Sequence, residues 1–207
     1  MSAASRRGLR RGLWLCAGLV AAAALSIGAC SRHASPAGDN AAVPEKPSVI
    51  GGPFRLVDTT GRTVTDQSLK GRPYAIFFGF TRCPDACPTT MSRLALLRQR
   101  LGPDADRIAI LFVSVDPEHD KPADIASFLS MFGTPVTGLT GSPAAIRQIQ
   151  QAFRVVVEHV PLPNGDYTID HSTAVYLMDR HGRFFEPMSA TDSVEANLGQ
   201  LHALLRI

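Results

Sequence analysis

From about residue 50 onward the apolar positions alternate between short continuous runs and helically spaced stripes. Residues 54–57 and 62–65 flank Thr60-Gly61, a turn signal, and predict a short hairpin. Tyr74 to Phe80 (YAIFFGF) is a near-continuous apolar run of strand length, the pattern of a central strand covered on both faces. Between Thr89 and Leu101 the apolar residues Met91, Leu94, Leu97 and Leu101 mark one face of a helix, with Pro88 placed at its first position. Ile108 to Val115 (IAILFVSV) predicts a second buried strand. Pro122 opens a helix whose inner face is Ile125, Phe128, Leu129 and Phe132, and Ser142-Pro143 opens another with Ile146, Ile149 and Phe153 inward. Residues 174–179 and 183–185 flank Arg180-His181-Gly182 as a second hairpin. A last helix is expected to start at Asp192, with Glu195 at capping-box spacing and Val194, Leu198, Leu201 and Leu205 inward.

The order is hairpin, strand, helix, strand, helix, helix, hairpin, helix, with no internal repeat. A parallel β-α-β half followed by an antiparallel hairpin and a helix is the thioredoxin-like arrangement, so the expected class is α/β, thioredoxin-like, with an N-terminal β-hairpin and inserted elements.

Upstream of this body the pattern changes. Arg6, Arg7, Arg10 and Arg11 precede Gly12 to Ser31, which carries no charge. A basic start, an apolar stretch and small residues at its end are the parts of a secretory signal. Ile27-Gly28-Ala29-Cys30 resembles a lipobox, whose Cys becomes the lipidated first residue of the mature chain; Ser5-Arg6-Arg7-Gly8-Leu9 also resembles a twin-arginine export signal. The alternative is an uncleaved anchor, since the stretch is just long enough to span a bilayer. Either reading places the body on the extracytoplasmic side of a bacterial membrane, attached through Cys30 or through the anchor. Residues 31–48 hold no aromatic and little to bury, and read as a tether with a reach of roughly 20–25 Å. The expected organisation is therefore leader 1–30, tether 31–48 and folded domain 49–207.

Charge narrows the function. The 207 residues carry a formal net charge of +3, but from Ser31 onward 17 basic face 18 acidic residues, a balance of −1. The folded part has no basic run, which excludes a nucleic-acid binder. No P-loop, glycine-rich dinucleotide fingerprint or zincin motif is present.

The chemistry gathers at two places. Cys83-Pro84-Asp85-Ala86-Cys87-Pro88 lies between the central strand and the next helix. With Cys16 removed in a leader and Cys30 lipidated, Cys83 and Cys87 hold the free thiols. An inert disulfide is one reading of two cysteines in an exported domain. Against it, the loop is too short to restrict the unfolded chain much, and a helix N-terminus stabilises thiolates. A C-x₃-C loop can present two sulfurs to a third atom. Two soft thiolates suit Cu(I), and an imidazole adds competence for Cu(II); Zn²⁺ is compatible with the same donors. The second place is Asp166-Tyr167-Thr168-Ile169-Asp170-His171-Ser172, before the strand at 174–179.

With this second block the chain resembles a known family. FFGFTRCPDACPTT around Cys83, VSVDPEHD at 113–120, GLTG at 138–141 and DYTIDHSTAVYLMD at 166–179 are similar, in order, to the Sco/SenC family, over about Phe54 to the C-terminus. Those proteins are membrane-tethered, thioredoxin-like copper chaperones. The resemblance implies copper ligands at Cys83, Cys87 and His171, and delivery of copper to the copper A centre of cytochrome c oxidase subunit II or another copper enzyme. It equally implies an alternative, a thiol–disulfide oxidoreductase in which Cys83 and Cys87 cycle by mixed-disulfide exchange. The first is a carrier without turnover; only the second is an enzyme.

The remaining candidates have plainer readings. His33 falls in the tether, and His159, His181 and His202 are expected to be solvated. His119 stands where many relatives have Arg. The segment after His159 reads as an exposed loop able to dock a partner. Asp85, Asp116, Asp120 and Asp170 can orient ligands or serve as turn and cap residues. Met91, Met131 and Met178 fall at core-like positions, which argues against a methionine copper box.

Overall fold

In chain order the strands are β1 (Arg55–Asp58), β2 (Thr63–Thr65), β3 (Tyr74–Gly79), β4 (Ala109–Ser114), β5 (Thr137–Thr140), β6 (Val157–Pro161), β7 (Tyr167–His171), β8 (Val175–Met178) and β9 (Phe184–Met188). The helices are α1 (Ala86–Leu101), α2 (Pro122–Ser130), α3 (Pro143–Phe153) and α4 (Val194–Leu204). This computed structural model describes residues 50–207; the leader and tether, with Cys16, Cys30 and His33, lie outside them.

Seven strands form one sheet in the order β2-β1-β5-β4-β3-β8-β9. β3, β4 and β5 run parallel, and β8 joins the other side of β3 antiparallel. The fold is thioredoxin-like as expected. Every residue of β3 is buried, which is why the segment reads as an unbroken apolar run rather than an alternating one. Its consecutive phenylalanines point to opposite faces. Phe77 packs on Phe112, which meets Phe128 of α2; Phe78 packs on Phe153 of α3 and Tyr176 of β8. Burying one such side chain stabilises the fold by about 1.5–3 kcal/mol before entropy is counted.

Both hairpin turns are built alike. Asp58-Thr59-Thr60-Gly61-Arg62 and Asp179-Arg180-His181-Gly182-Arg183 share an Asp-x-x-Gly-Arg pattern. Asp58 accepts hydrogen bonds from the N–H groups of Thr60 (2.8 Å) and Arg62 (3.0 Å) and from Arg62 Nε (2.8 Å). Asp179 accepts from the N–H groups of His181 (2.8 Å) and Arg183 (2.9 Å) and from Arg183 Nε (2.7 Å). Gly61 and Gly182 take φ of +86° and +76° between them, where a side chain would be strained.

Several boundaries differ from the expectation. α1 begins at Ala86, so Pro88 is its third residue; it is still within the first turn, where a missing N–H breaks no helical bond. α4 is capped by Ser193, whose hydroxyl accepts from the Ala196 N–H at 3.1 Å, and not by Asp192. Its fully buried residues are Asn197, Leu201 and Leu204, with Val194, Leu198 and Leu205 only partly covered. α2 ends at Ser130, leaving Phe132 beyond the helix against Phe128 and Met131 exposed at 68%, so Met131 is not a core position. Met91 and Met178 are fully buried.

Three strands were not anticipated. β5 has only four residues and includes Gly138, where a Cβ would lie 2.5 Å from Ile125 and 2.7 Å from Leu129. The glycine lets α2 sit on the strand, and it also removes the apolar signal by which the strand would be recognised. β6 and β7 form a separate two-stranded hairpin, with Val157 opposite His171. Its strands are mostly exposed on one side, so the segment after His159 reads as a loop although its first half is paired.

Candidate metal centre

The C-terminal end of β3 feeds a short loop into α1, the usual place for a site in an open α/β sheet. Cys83 lies in that loop and Cys87 is the second residue of α1. Asp120 anchors the loop from below: it accepts from the Thr81 N–H (3.0 Å), the Thr81 hydroxyl (2.6 Å) and the Ser114 hydroxyl (2.6 Å). Asp85 takes the N-cap position, and its carbonyl accepts from the Thr89 N–H at 3.1 Å, but its carboxylate bonds no helix N–H and accepts from the Thr89 hydroxyl instead.

Cys87 is fully buried and Cys83 half-buried. The Cys87 N–H donates to Cys83 Sγ at 3.3 Å, so a backbone group at the helix N-terminus supports negative charge on the outer sulfur. The hydrogen bond from the Cys87 thiol, with those from the N–H groups of Cys87 and Asp85, brings the Cys83 thiol down to about 4 despite its partial burial. Its hydrogen bond to Cys83, together with burial, pushes the Cys87 thiol up. The two shifts favour the thiolate at the outer sulfur and the thiol at the inner one, and a metal held by both sulfurs would displace the Cys87 proton.

Room for the inner sulfur comes from Gly79. A Cβ there would stand 2.8 Å from Cys87 Sγ and 3.0 Å from both Phe77 and Phe112. A glycine inside an apolar strand signals such a close approach.

His171 ends β7 and points its Nε2 at Cys87 Sγ, 3.6 Å away. Its Nδ1 lies 2.9 Å from the Ser172 carbonyl. A carbonyl only accepts, so Nδ1 carries the proton and Nε2 offers its lone pair toward the thiols. Phe77 and Phe80 meet the ring in edge contacts, with centroids 6.0 and 5.8 Å away. One ligand atom from each of Cys83, Cys87 and His171 lies within 4.8 Å of the others. Two sulfurs and an imidazole nitrogen are a soft donor set that fits copper.

The other candidates separate. Asp116 and Asp120 are buried beside the loop, while Asp170 is exposed on β7 and His119 touches none of the three residues. His159, His181 and His202 are all exposed, His181 in the turn between β8 and β9. Gly79, Phe77, Phe80, Arg82 and Tyr167 shape the centre without having been singled out. Only Gly79 carried a sequence signal. Among the described residues no helix is long and apolar enough to cross a membrane.

The model of the SCO1/SenC family matches residues 42–206 of the chain. Protein sco1 of Schizosaccharomyces pombe is 36% identical over 153 residues, which cover 70% of this chain and 57% of that protein. The structure of Bradyrhizobium japonicum ScoI with copper bound is similar at 45% identity and a TM-score of 0.71, covering 75% of this chain and 99% of that one. BsSco, described as a member of the Sco family of cytochrome c oxidase assembly proteins with a disulfide switch, shares the fold at 24% identity and a TM-score of 0.63, over 78% of this chain and 96% of that one.

Proposed function

The chain belongs to the SCO1/SenC family, and from that premise we propose that it is a copper metallochaperone whose ligands are Cys83, Cys87 and His171. The observation that carries this reading is the meeting of two cysteine sulfurs and one imidazole nitrogen within 4.8 Å, in a chain 45% identical to a protein whose structure holds copper. Copper is cargo here, not a resident cofactor. The thiolate of Cys83 offers the first attachment at the surface, Cys87 draws the ion inward against Gly79, and His171 completes a three-donor site open to a partner on the Cys83 side. Ligand exchange with a partner's cysteines then passes the ion on, with no turnover.

The receiving protein on this reading is a copper enzyme, with the copper A centre of cytochrome c oxidase subunit II as the target the family resemblance implies. Residues 1–30 serve as leader with Cys30 lipidated or as an anchor, and residues 31–48 as tether. They hold the domain at 49–207 on the extracytoplasmic face of a bacterial membrane.

The test is a Cu(I) titration of the reduced chain against a competing chelator, beside His171→Ala and a Cys83→Ser/Cys87→Ser double variant. One tightly held copper per chain, weakened by the first and abolished by the second, is the expected result. A chain that holds copper no better than its double variant would overturn the reading. The reduction potential of the Cys83–Cys87 pair would then decide between a thiol–disulfide oxidoreductase and an inert disulfide.

A further inference from the structure

The β6–β7 hairpin that carries His171 pairs with no strand of the main sheet. Its attachment to the body near the thiols therefore rests on side chains. Tyr167, Ile169 and His171 share one face of β7 by strand alternation. Ile169 is buried in the core, and Tyr167 meets a polar cluster at the other end of the strand.

Arg82, next to Cys83, is the centre of that cluster. Its guanidinium donates to Asp166 at 2.7 Å and to Asp116 at 3.2 Å, and lies 5.4 Å from the Tyr167 ring centroid. The Tyr167 hydroxyl donates to Asp116 at 2.7 Å. His119 Nδ1 lies within 2.9–3.2 Å of Tyr167, Asp116 and Arg82. Asp116, just past β4, has a side chain with no exposure at all, so it needs the cation and the hydroxyl. One arginine thus ties the cysteine loop, the end of β4 and the start of β7 together.

We infer that Arg82 is a positioning residue: with Asp116 and Tyr167 it latches the β6–β7 hairpin over the cysteine loop and so sets the approach of His171 to the thiols. The inference rests on the copper reading for its consequence, and on the hairpin's missing sheet partner for its cause. Arg82 touches no donor atom of the centre. It acts through the register in which β7 is presented.

The experiment is a double-mutant cycle on the full-length chain. Cu(I) affinity is measured for Arg82→Met, Tyr167→Phe and Arg82→Lys, each with His171 present and in a His171→Ala background. Amide hydrogen exchange over residues 157–171 is measured on the metal-free proteins. Circular dichroism confirms that each variant is folded. With His171 present, Arg82→Met is expected to weaken copper by roughly 10–100-fold. Tyr167→Phe should weaken it less, and Arg82→Lys should restore part of the loss, since an ammonium meets only one carboxylate well. In the His171→Ala background these differences should vanish, and Arg82→Met should speed exchange of the hairpin amides. An equal loss in both backgrounds overturns the latch, because Arg82 would then act on the thiols directly. Unchanged affinity in a chain that binds copper through His171 also overturns it and leaves the copper reading intact. If the parent chain holds no copper, the copper reading fails alone, and the exchange rates decide the latch: faster exchange in Arg82→Met supports it and unchanged exchange overturns it.

Discussion

His171 Nε2 lies 3.6 Å from Cys87 Sγ although 84 positions of sequence separate the two residues. The contact joins the end of a peripheral hairpin to the first turn of α1. It is the relationship on which a three-donor copper site depends.

Replacing His171 by Ala should therefore leave a two-sulfur site. Copper should weaken by no less than the roughly 10–100-fold that loss of an outer partner costs a metal site, with Cu(II) suffering more than Cu(I) because thiolates alone suit the softer ion. The Cys83–Cys87 disulfide should still form and reduce. Competition titrations in both oxidation states, with thiol counts on the same samples, check this; equal affinities for the variant and the parent would remove His171 from the ligand set.

Gly79→Ala tests the cradle of the inner sulfur. The new methyl would stand 2.8 Å from Cys87 Sγ, with two phenylalanine rings at 3.0 Å leaving it nowhere to go. Overpacking of this kind costs about 1–3 kcal/mol. Urea unfolding should show that loss, and copper affinity should fall with it, because the displaced sulfur is a donor. Full copper affinity in a destabilised variant would mean that Cys87 does not bind the ion in the position seen here.

Asp120→Ala should loosen the loop ahead of Cys83. Two donors from Thr81 and one from Ser114 would lose their shared acceptor, and leaving such groups unmet in a buried place costs about 1–3 kcal/mol. Thermal unfolding reads the cost. Hydrogen exchange should localise it to the residues around Thr81 rather than to β8 and β9.

The hairpin turns give the chain a defined acid response. The hydrogen bonds of Asp58 from the Thr60 side chain, the Arg62 and Thr60 N–H groups and the Arg62 side chain outweigh its burial and hold its carboxyl well below the ordinary value of 3.8. A depressed carboxyl contributes stability that is fully present above its unfolded value and is lost as pH falls toward the folded one. Asp58→Asn should thus be less stable than the parent at neutral pH. The gap should narrow steadily once pH drops below 3.8. Urea unfolding across that range measures it, and a gap independent of pH would assign the stabilisation to the turn's shape rather than to its charge.

Much of the body was legible because strands and helices announce themselves within a few residues. The unbroken run of β3, the stripe Met91-Leu94-Leu97-Leu101, the pair Ser142-Pro143 and Pro122 are local signals, and each became the expected element. Misplaced ends have local causes as well. Ser193, not Asp192, caps α4 because its own hydroxyl reaches the Ala196 N–H, and Met131 falls outside the core because α2 stops one residue before it.

The sequence by itself determined the parallel core, the thiol pair at a helix start and, through resemblance of ordered motifs, the family and the histidine to look for. All of these depend on short stretches whose apolar spacing or residue identity needs no distant partner. Only the tertiary structure decided that β6 and β7 stand apart from the main sheet, that Gly79 leaves the space Cys87 fills, and that Arg82 and Asp116 meet Tyr167. Those relations join residues 34 and 51 positions apart, or turn on the exclusion of one side chain by another. Sheet order and close packing settle them, and neither leaves a period in the chain.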